Sequence, residues 1–318
     1  MQTSRIFYLE NGGPRLALRH RPAKGPRRGA VLFVHGATFA SELYDLPIPG
    51  YSWMEAAAEA GREAFAVDLR GYALSERPPS FDRPAAEAPP YARAQEVLTD
   101  IDRAVEAVRA KTGDTRIDLI GGSWGTVTCG IYASGANAGK VRRLALYAPL
   151  YGEWNDPWLS ICGAPGDPGR PNPDLGAYRW VEEAAIRQRW DGEIPTADTS
   201  VYREEAVFQS LFRSALEADP LWQTRSPPAF RVPNGTLVDL HAVFSGHPLY
   251  DPAEIRLPVL LLRGADDPTS TDSDTSRLYD ALGTKERHYR IVPQASHFAM
   301  AEKAASKVFQ ETEAFLSA

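Results

Sequence analysis

Short apolar runs recur along the chain at 30–34, 64–67, 117–120, 144–147 and 259–262, with a weaker run at 289–292. Runs apolar at nearly every position, rather than at alternate ones, suit strands covered on both faces, as in parallel sheets. Between them lie stretches with helical spacing. Residues 91–111 put Val97, Ile101, Val105 and Val108 at intervals of three and four, which predicts an amphipathic helix. Residues 301–316 carry Val308, Thr312, Phe315 and Leu316 on a similar face. Shorter helices are expected at 52–60 and 272–282. Strand and helix in alternation predict an α/β fold: a mostly parallel central sheet with helices on both faces. Ahead of it, Arg5–Leu9 and 16–20 read as two strands joined by a turn at Asn11-Gly12-Gly13.

One stretch breaks the alternation. From Tyr151 to about Ile255 there is no strand-like run of the sheet type. A Pro/Gly loop at 163–173 is followed by aromatic-rich helical segments and a Pro-rich stretch around Pro227-Pro228 and Pro233. Five of the seven tryptophans fall here: Trp154, Trp158, Trp180, Trp190 and Trp222. This predicts a core formed by 1–150 and 256–318, interrupted by a helical cap at 151–255. Most of the rings are expected to fill the cap's own core. Trp154, just past a strand's C-terminal end, is expected to contact ligand, because open α/β sheets bind ligands beyond those ends.

Composition narrows the partners. Hydrophobic residues make up 43% and charged residues 24%, an ordinary globular mixture. Lys+Arg number 35 against Asp+Glu 41, a net charge of −6 that offers no general attraction to nucleic acid or anionic lipid. Basic clusters at Arg19-His20-Arg21 and from Lys24 to Arg28 flank a Pro/Gly segment and read as solvated loop. The two cysteines, Cys129 and Cys162, make no disulfide framework and lack metal-ligand spacing. Cys129 reads as a buried small hydrophobe and Cys162 as a loop residue. Residues 1–5 lack the apolar run of a signal peptide, and no stretch approaches the roughly 18 apolar residues that span a bilayer. A cytoplasmic protein acting on a small molecule is expected.

The chemistry centres on Gly121-Gly122-Ser123-Trp124-Gly125, directly after the run at 117–120 and before a helix-compatible segment at 126–136. Strand, sharp turn and helix are the context a G-x-S-x-G nucleophile elbow requires, and they make Ser123 the expected nucleophile. A serine hydroxyl needs a base, and the base an orienting acid. Asp267 follows the strand at 259–262 and is the expected acid, with Asp266 as the alternative. His297 follows the run at 289–292 and is the expected base. His288 sits at the wrong end of that strand, and His241 and His247 fall in the insertion. The developing oxyanion needs backbone donors: the N–H of Trp124 and, from the loop His35-Gly36-Ala37-Thr38, that of Ala37. His35 is expected to brace this loop. Thr38 and Trp154 are the expected substrate contacts. No metal or organic cofactor is implied.

Together these residues resemble the α/β-hydrolase superfamily, and the resemblance covers almost the whole chain outside the insertion. It rests on the His35-Gly36 loop, the stretch Asp68-Leu69-Arg70-Gly71-Tyr72, the elbow, the turn from Gly264 to Asp267, and His297. It implies the α/β-hydrolase fold. Gly-Gly-Ser-Trp-Gly looks like the elbow of prolyl iminopeptidases, as does a helical lid at this point of the chain. Those peptidases typically carry a His-Gly-Gly-Pro-Gly loop where this chain has His35-Gly36-Ala37-Thr38-Phe39. Candidates for their amine-gripping lid acids are Glu182, Glu183, Glu204 and Glu205. A serine nucleophile separates the chain from epoxide hydrolases and haloalkane dehalogenases, which use aspartate.

The expected reaction is hydrolysis of a carboxylic ester with a small or medium, partly apolar acyl group, through an acyl-enzyme. Rival reactions on the same residues are aminopeptidase or amidase, lactonase and C–C bond hydrolysis. A rival of another class is a non-catalytic ligand receptor.

Overall fold

The computed structural model describes residues 4–318. Strands β1 (Arg5–Leu9) and β2 (Leu16–Arg21) form an antiparallel hairpin. Then follow β3 (Ala30–Val34), α1 (Trp53–Glu59), β4 (Glu63–Val67), α2 (Ala94–Thr112), β5 (Ile117–Gly122), α3 (Trp124–Ser134) and β6 (Val141–Tyr147). β3 and β5 are buried along their whole length, as expected of apolar runs with helices on both faces. α2 buries Val97, Ile101, Val105 and Val108 but starts at Ala94, later than the spacing alone suggests. The Glu96 carboxylate accepts the Arg93 N–H at 2.7 Å and fixes that boundary. Gly113, at φ 76°, ends the helix in the left-handed conformation.

The chain then leaves the sheet. α4 (Asp156–Cys162) precedes a small hairpin of β7 (Gly163–Ala164) and β8 (Asp167–Pro171). Next come β9 (Tyr178–Glu182), α5 (Glu183–Glu193), α6 (Glu205–Glu217), β10 (Ala229–Pro233) and α7 (Gly235–Phe244). β9 and β10 pair antiparallel. The insertion is therefore not purely helical, and the expected loop at 163–173 contains a hairpin. Charge hid β10. Its Arg231 is buried and interrupts the apolar run, but its guanidinium is neutralised by the buried Asp219 at 2.7 Å. Cys162, expected in a loop, closes α4 and is buried.

The sheet resumes with β11 (Val259–Gly264), α8 (Asp272–Ala281), β12 (Arg287–Val292) and α9 (Ala305–Ser317). Its order is β1-β2-β4-β3-β5-β6-β11-β12. β2 pairs antiparallel with β1 and β4, and the pairs from β4 through to β12 are parallel. Parallel strands end on one edge. The register sets Val34 against Gly121, Gly122 against Tyr147, and Gly264 against Val292, so the loops after β3, β5, β11 and β12 leave the same rim. The basic cluster at Arg19-His20-Arg21 is no solvated loop: it ends β2, with His20 Nε2 2.6 Å from Glu63 and Arg21 donating to Asp45 at 2.5 Å. Among the described residues, no helix is long and apolar enough to cross a membrane.

Candidate active site

The turn after β5 is set by close packing. A Cβ on Gly121 would lie 2.4 Å from the Gly125 carbonyl oxygen, and one on Gly125 would lie 2.4 Å from that of Val34. Only glycine fits at either place, which is why α3 can begin immediately beside β3. Ser123 sits between them at φ 54°, ψ −122°, a strained conformation for a residue with a side chain. Its N–H is held by the Tyr147 carbonyl at 2.9 Å. The strain is thus borne by a turn clamped to its neighbours on both sides.

Ser123 Oγ lies 2.9 Å from His297 Nε2, and His297 Nδ1 lies 2.9 Å from Asp267 Oδ2. The second Asp267 oxygen accepts the backbone N–H groups of Thr269 and Ser270 at 2.8 and 2.9 Å. Asp266, the alternative acid, is turned away and accepts the Tyr202 hydroxyl at 2.7 Å. The histidine loop is anchored from behind. Tyr147 donates to the His297 carbonyl at 2.7 Å, and Glu302 accepts the Ser296 N–H at 2.9 Å. Glu302 also accepts the Trp190 indole N–H at 2.8 Å, tying the loop to α5. Burial holds this carboxyl above the usual range, although those hydrogen bonds oppose the shift.

The loop after β3 lies against the serine: a Cβ on Gly36 would come within 3.0 Å of Ser123 Cβ. His35 is fully buried, and burial lowers its pKa. Its Nδ1 lies 2.8 Å from the Gly36 carbonyl oxygen, while Nε2 accepts the Leu69 N–H at 3.1 Å. A neutral ring protonated on Nδ1 satisfies both contacts. The next carbonyl, Ala37, accepts from Tyr72 at 3.1 Å and from Arg179 at 3.0 Å. Two consecutive peptides of this loop are therefore fixed by side chains.

Ser123, His297, Ala37 and Thr38 line a small cavity of about 40 Å³. Two expectations fail here. Trp154 is 56% exposed, with its indole N–H on Asp156, and does not line the cavity. Trp158, one helical turn further on, does, because Asn155 caps α4 and turns the chain between the two rings. None of Glu182, Glu183, Glu204 or Glu205 reaches the cavity either. Glu204 accepts from Tyr51, and Glu205 pairs with Arg187 and Arg203. Glu182 and Glu183 border a larger cavity of about 680 Å³ between α5 and α6, away from Ser123. The Trp124 indole is buried and donates to Asp239 at 3.2 Å, leaving only its backbone for the site. Reasoning from sequence missed Arg189, Phe298, Tyr44 and Tyr147, which also line the cavity. No motif marks them; they converge from separate elements.

The alpha/beta hydrolase fold family matches residues 29–304. No curated protein matches the chain. Among solved structures, a bromoperoxidase from Bacillus anthracis superposes with a TM-score of 0.67 at 14% identity, covering 99% of this chain and 100% of that one. A soluble variant of monoglyceride lipase from Saccharomyces cerevisiae gives 0.66 at 17% identity, covering 99% and 96%. The enol-lactonase from Burkholderia xenovorans gives 0.65 at 16% identity, covering 98% and 100%. At such identities these neighbours speak for the fold, and the family match extends from just before β3 to the start of α9. The chain belongs to the alpha/beta hydrolase fold family.

Proposed function

We propose that the protein is a serine hydrolase that cleaves carboxylic esters of small to medium, partly apolar acyl groups through an acyl-enzyme. The observation that carries this reading is the unbroken hydrogen-bond chain from Asp267 through His297 to Ser123. Ser123 Oγ attacks the ester carbonyl as His297 Nε2 takes its proton, and Asp267 balances the imidazolium charge. The tetrahedral oxyanion is held by the N–H groups of Trp124 and Ala37, each donor worth about 3–4 kcal/mol. A trans peptide points its N–H opposite its carbonyl, so the His35 contact to the Gly36 oxygen fixes the direction of the Ala37 N–H. As the tetrahedral adduct collapses, His297 protonates the departing alcohol. A water, deprotonated by the same nitrogen, then attacks the acyl-enzyme and releases the acid.

Residues 151–255 act as a cap in this reading, since they supply Trp158 and Arg189 to the walls of the cavity. A fluorophosphonate probe should label Ser123, and Ser123→Ala should lose both labelling and p-nitrophenyl ester turnover, the latter by about 10⁴-fold or more. Unchanged ester turnover in that variant would sink the assignment.

A further inference from the structure

Arg189, on α5, is the one arginine or lysine among the cavity's described lining residues, and no carboxylate lines that cavity. Its guanidinium lies 4.7 Å from the Trp158 ring centroid and 5.1 Å from that of Phe298. Glu193, one turn along the helix, forms an ion pair with Nε at 3.2 Å, and its other carboxylate oxygen is buried without a hydrogen-bond partner among the described residues. Nη2 is buried and has no hydrogen-bond partner among the described residues. A second cation is close enough to feel this charge. Arg179 makes no ion pair among the described residues, and burial pushes its pKa down to about 10, with Arg189 adding to the effect. Arg189 is thus ion-paired through one nitrogen only, and Arg179 adds a positive charge that no carboxylate among the described residues pairs.

We infer that the substrate's acyl part bears a carboxylate, which pairs with Arg189 in the cavity it shares with Ser123. This deepens the ester-hydrolase reading and rests on it. A buried guanidinium nitrogen without a partner is costly, and a carboxylate is the group that the planar fork of arginine binds best. The flanking rings of Trp158 and Phe298 pack near the guanidinium and restrict where it can swing. The apolar remainder of the walls suits the short methylene chain between carboxylate and ester. A neutral acyl chain of equal length would leave Nη2 unpaired and gain none of this.

The test compares p-nitrophenyl hemisuccinate with p-nitrophenyl butyrate, which have acyl chains of equal length and differ in charge. The ratio of their kcat/KM values should be at least tenfold higher in the wild type than in Arg189→Met, which keeps an unbranched side chain against the rings. Arg189→Lys should give an intermediate ratio. A ratio equal in the wild type and Arg189→Met overturns the inference. A second readout needs no turnover: glutarate should raise the Tm of Ser123→Ala but not of Ser123→Ala/Arg189→Met. If Arg189→Met does not fold, the ratio in Arg189→Lys and the shift in Ser123→Ala decide; an unchanged ratio and no shift overturn the proposal. The two readings fail separately. Hydrolysis without charge preference refutes the carboxylate, whereas a glutarate shift with neither ester turned over refutes ester hydrolysis.

Discussion

Two single residues show how tightly the rim is specified. Gly125 is where α3 passes β3, and an added Cβ would meet the oxygens of Val34 at 2.4 Å and His35 at 2.6 Å. Both are backbone atoms of a buried strand end, so neither can yield cheaply. Gly125→Ala should cost about 1–3 kcal/mol and lower the Tm by several degrees in a thermal melt. Glu42 is the other case. Its carboxyl is buried near Asp68, and burial first, then that neighbouring charge, push its pKa up to about 7, despite a hydrogen bond from the Ala40 N–H. In the unfolded chain it titrates near 4.5. The folded state therefore binds the proton more tightly, so its stabilising effect is complete below the unfolded value and is lost as pH rises through about 7. Wild-type stability should fall over that window relative to Glu42→Gln, by on the order of 1–3 kcal/mol, as read from denaturant midpoints at pH 5 and pH 8.

Between elements, the tie that matters most for the proposed chemistry joins β9 to the loop after β3. Arg179 Nη2 donates to the Ala37 carbonyl at 3.0 Å while Nη1 donates to the Pro233 carbonyl at 3.0 Å, so the β9–β10 pair grips the proposed oxyanion loop. Removing the grip should misplace the loop without emptying the pocket. Arg179→Gln is expected to lower kcat about tenfold, with KM changed much less, as steady-state ester kinetics would reveal; a rise in KM alone would contradict the role. This grip was not legible in the sequence, and the reason is physical. β3 announces itself because a strand buried on both faces is apolar throughout, and β5 departs from that pattern only at the buried, ion-paired Asp118. β9 and β10 carry Arg179 and Arg231, whose guanidiniums donate to backbone carbonyls and to Asp219, and local pattern carries no sign of such partners. The positions of Ser123, Asp267 and His297 at one rim were legible, since each follows a strand and parallel strands end together. Trp154 and Trp158 were not separable, since one turn of helix decides which ring faces the cavity.

At the scale of the molecule, the question is how a substrate reaches Ser123. The cavity of about 40 Å³ has room for no more than a few waters, less than any ester of interest needs. Its walls come from both the sheet rim and the insertion, so admission of a substrate requires the insertion to move relative to the rim. Such movement is resisted by apolar packing, such as Trp190 stacked on Phe298 at 4.5 Å, and by polar ties. Tyr202 donates to Asp266 at 2.7 Å and its carbonyl accepts the Lys303 N–H at 2.8 Å, while Trp158 donates to Thr269 at 2.9 Å and Trp190 to Glu302 at 2.8 Å. Polar ties of this kind contribute about 1 kcal/mol each, so loosening one should shift the open population measurably without unfolding the protein. The Tyr202 hydroxyl is the best probe, because its partner Asp266 is not in the chain that reaches Ser123. In the wild type, kcat/KM for p-nitrophenyl acetate should exceed that for the octanoate by at least tenfold. Tyr202→Phe should narrow the gap by about threefold, mainly through faster turnover of the octanoate. If the wild type turns over both esters equally, the insertion opens without hindrance and these ties do not gate the site. If the gap is present but unmoved in Tyr202→Phe, the restriction lies in the fixed walls at Tyr44, Tyr147 and Met300 rather than in the attachment of the insertion.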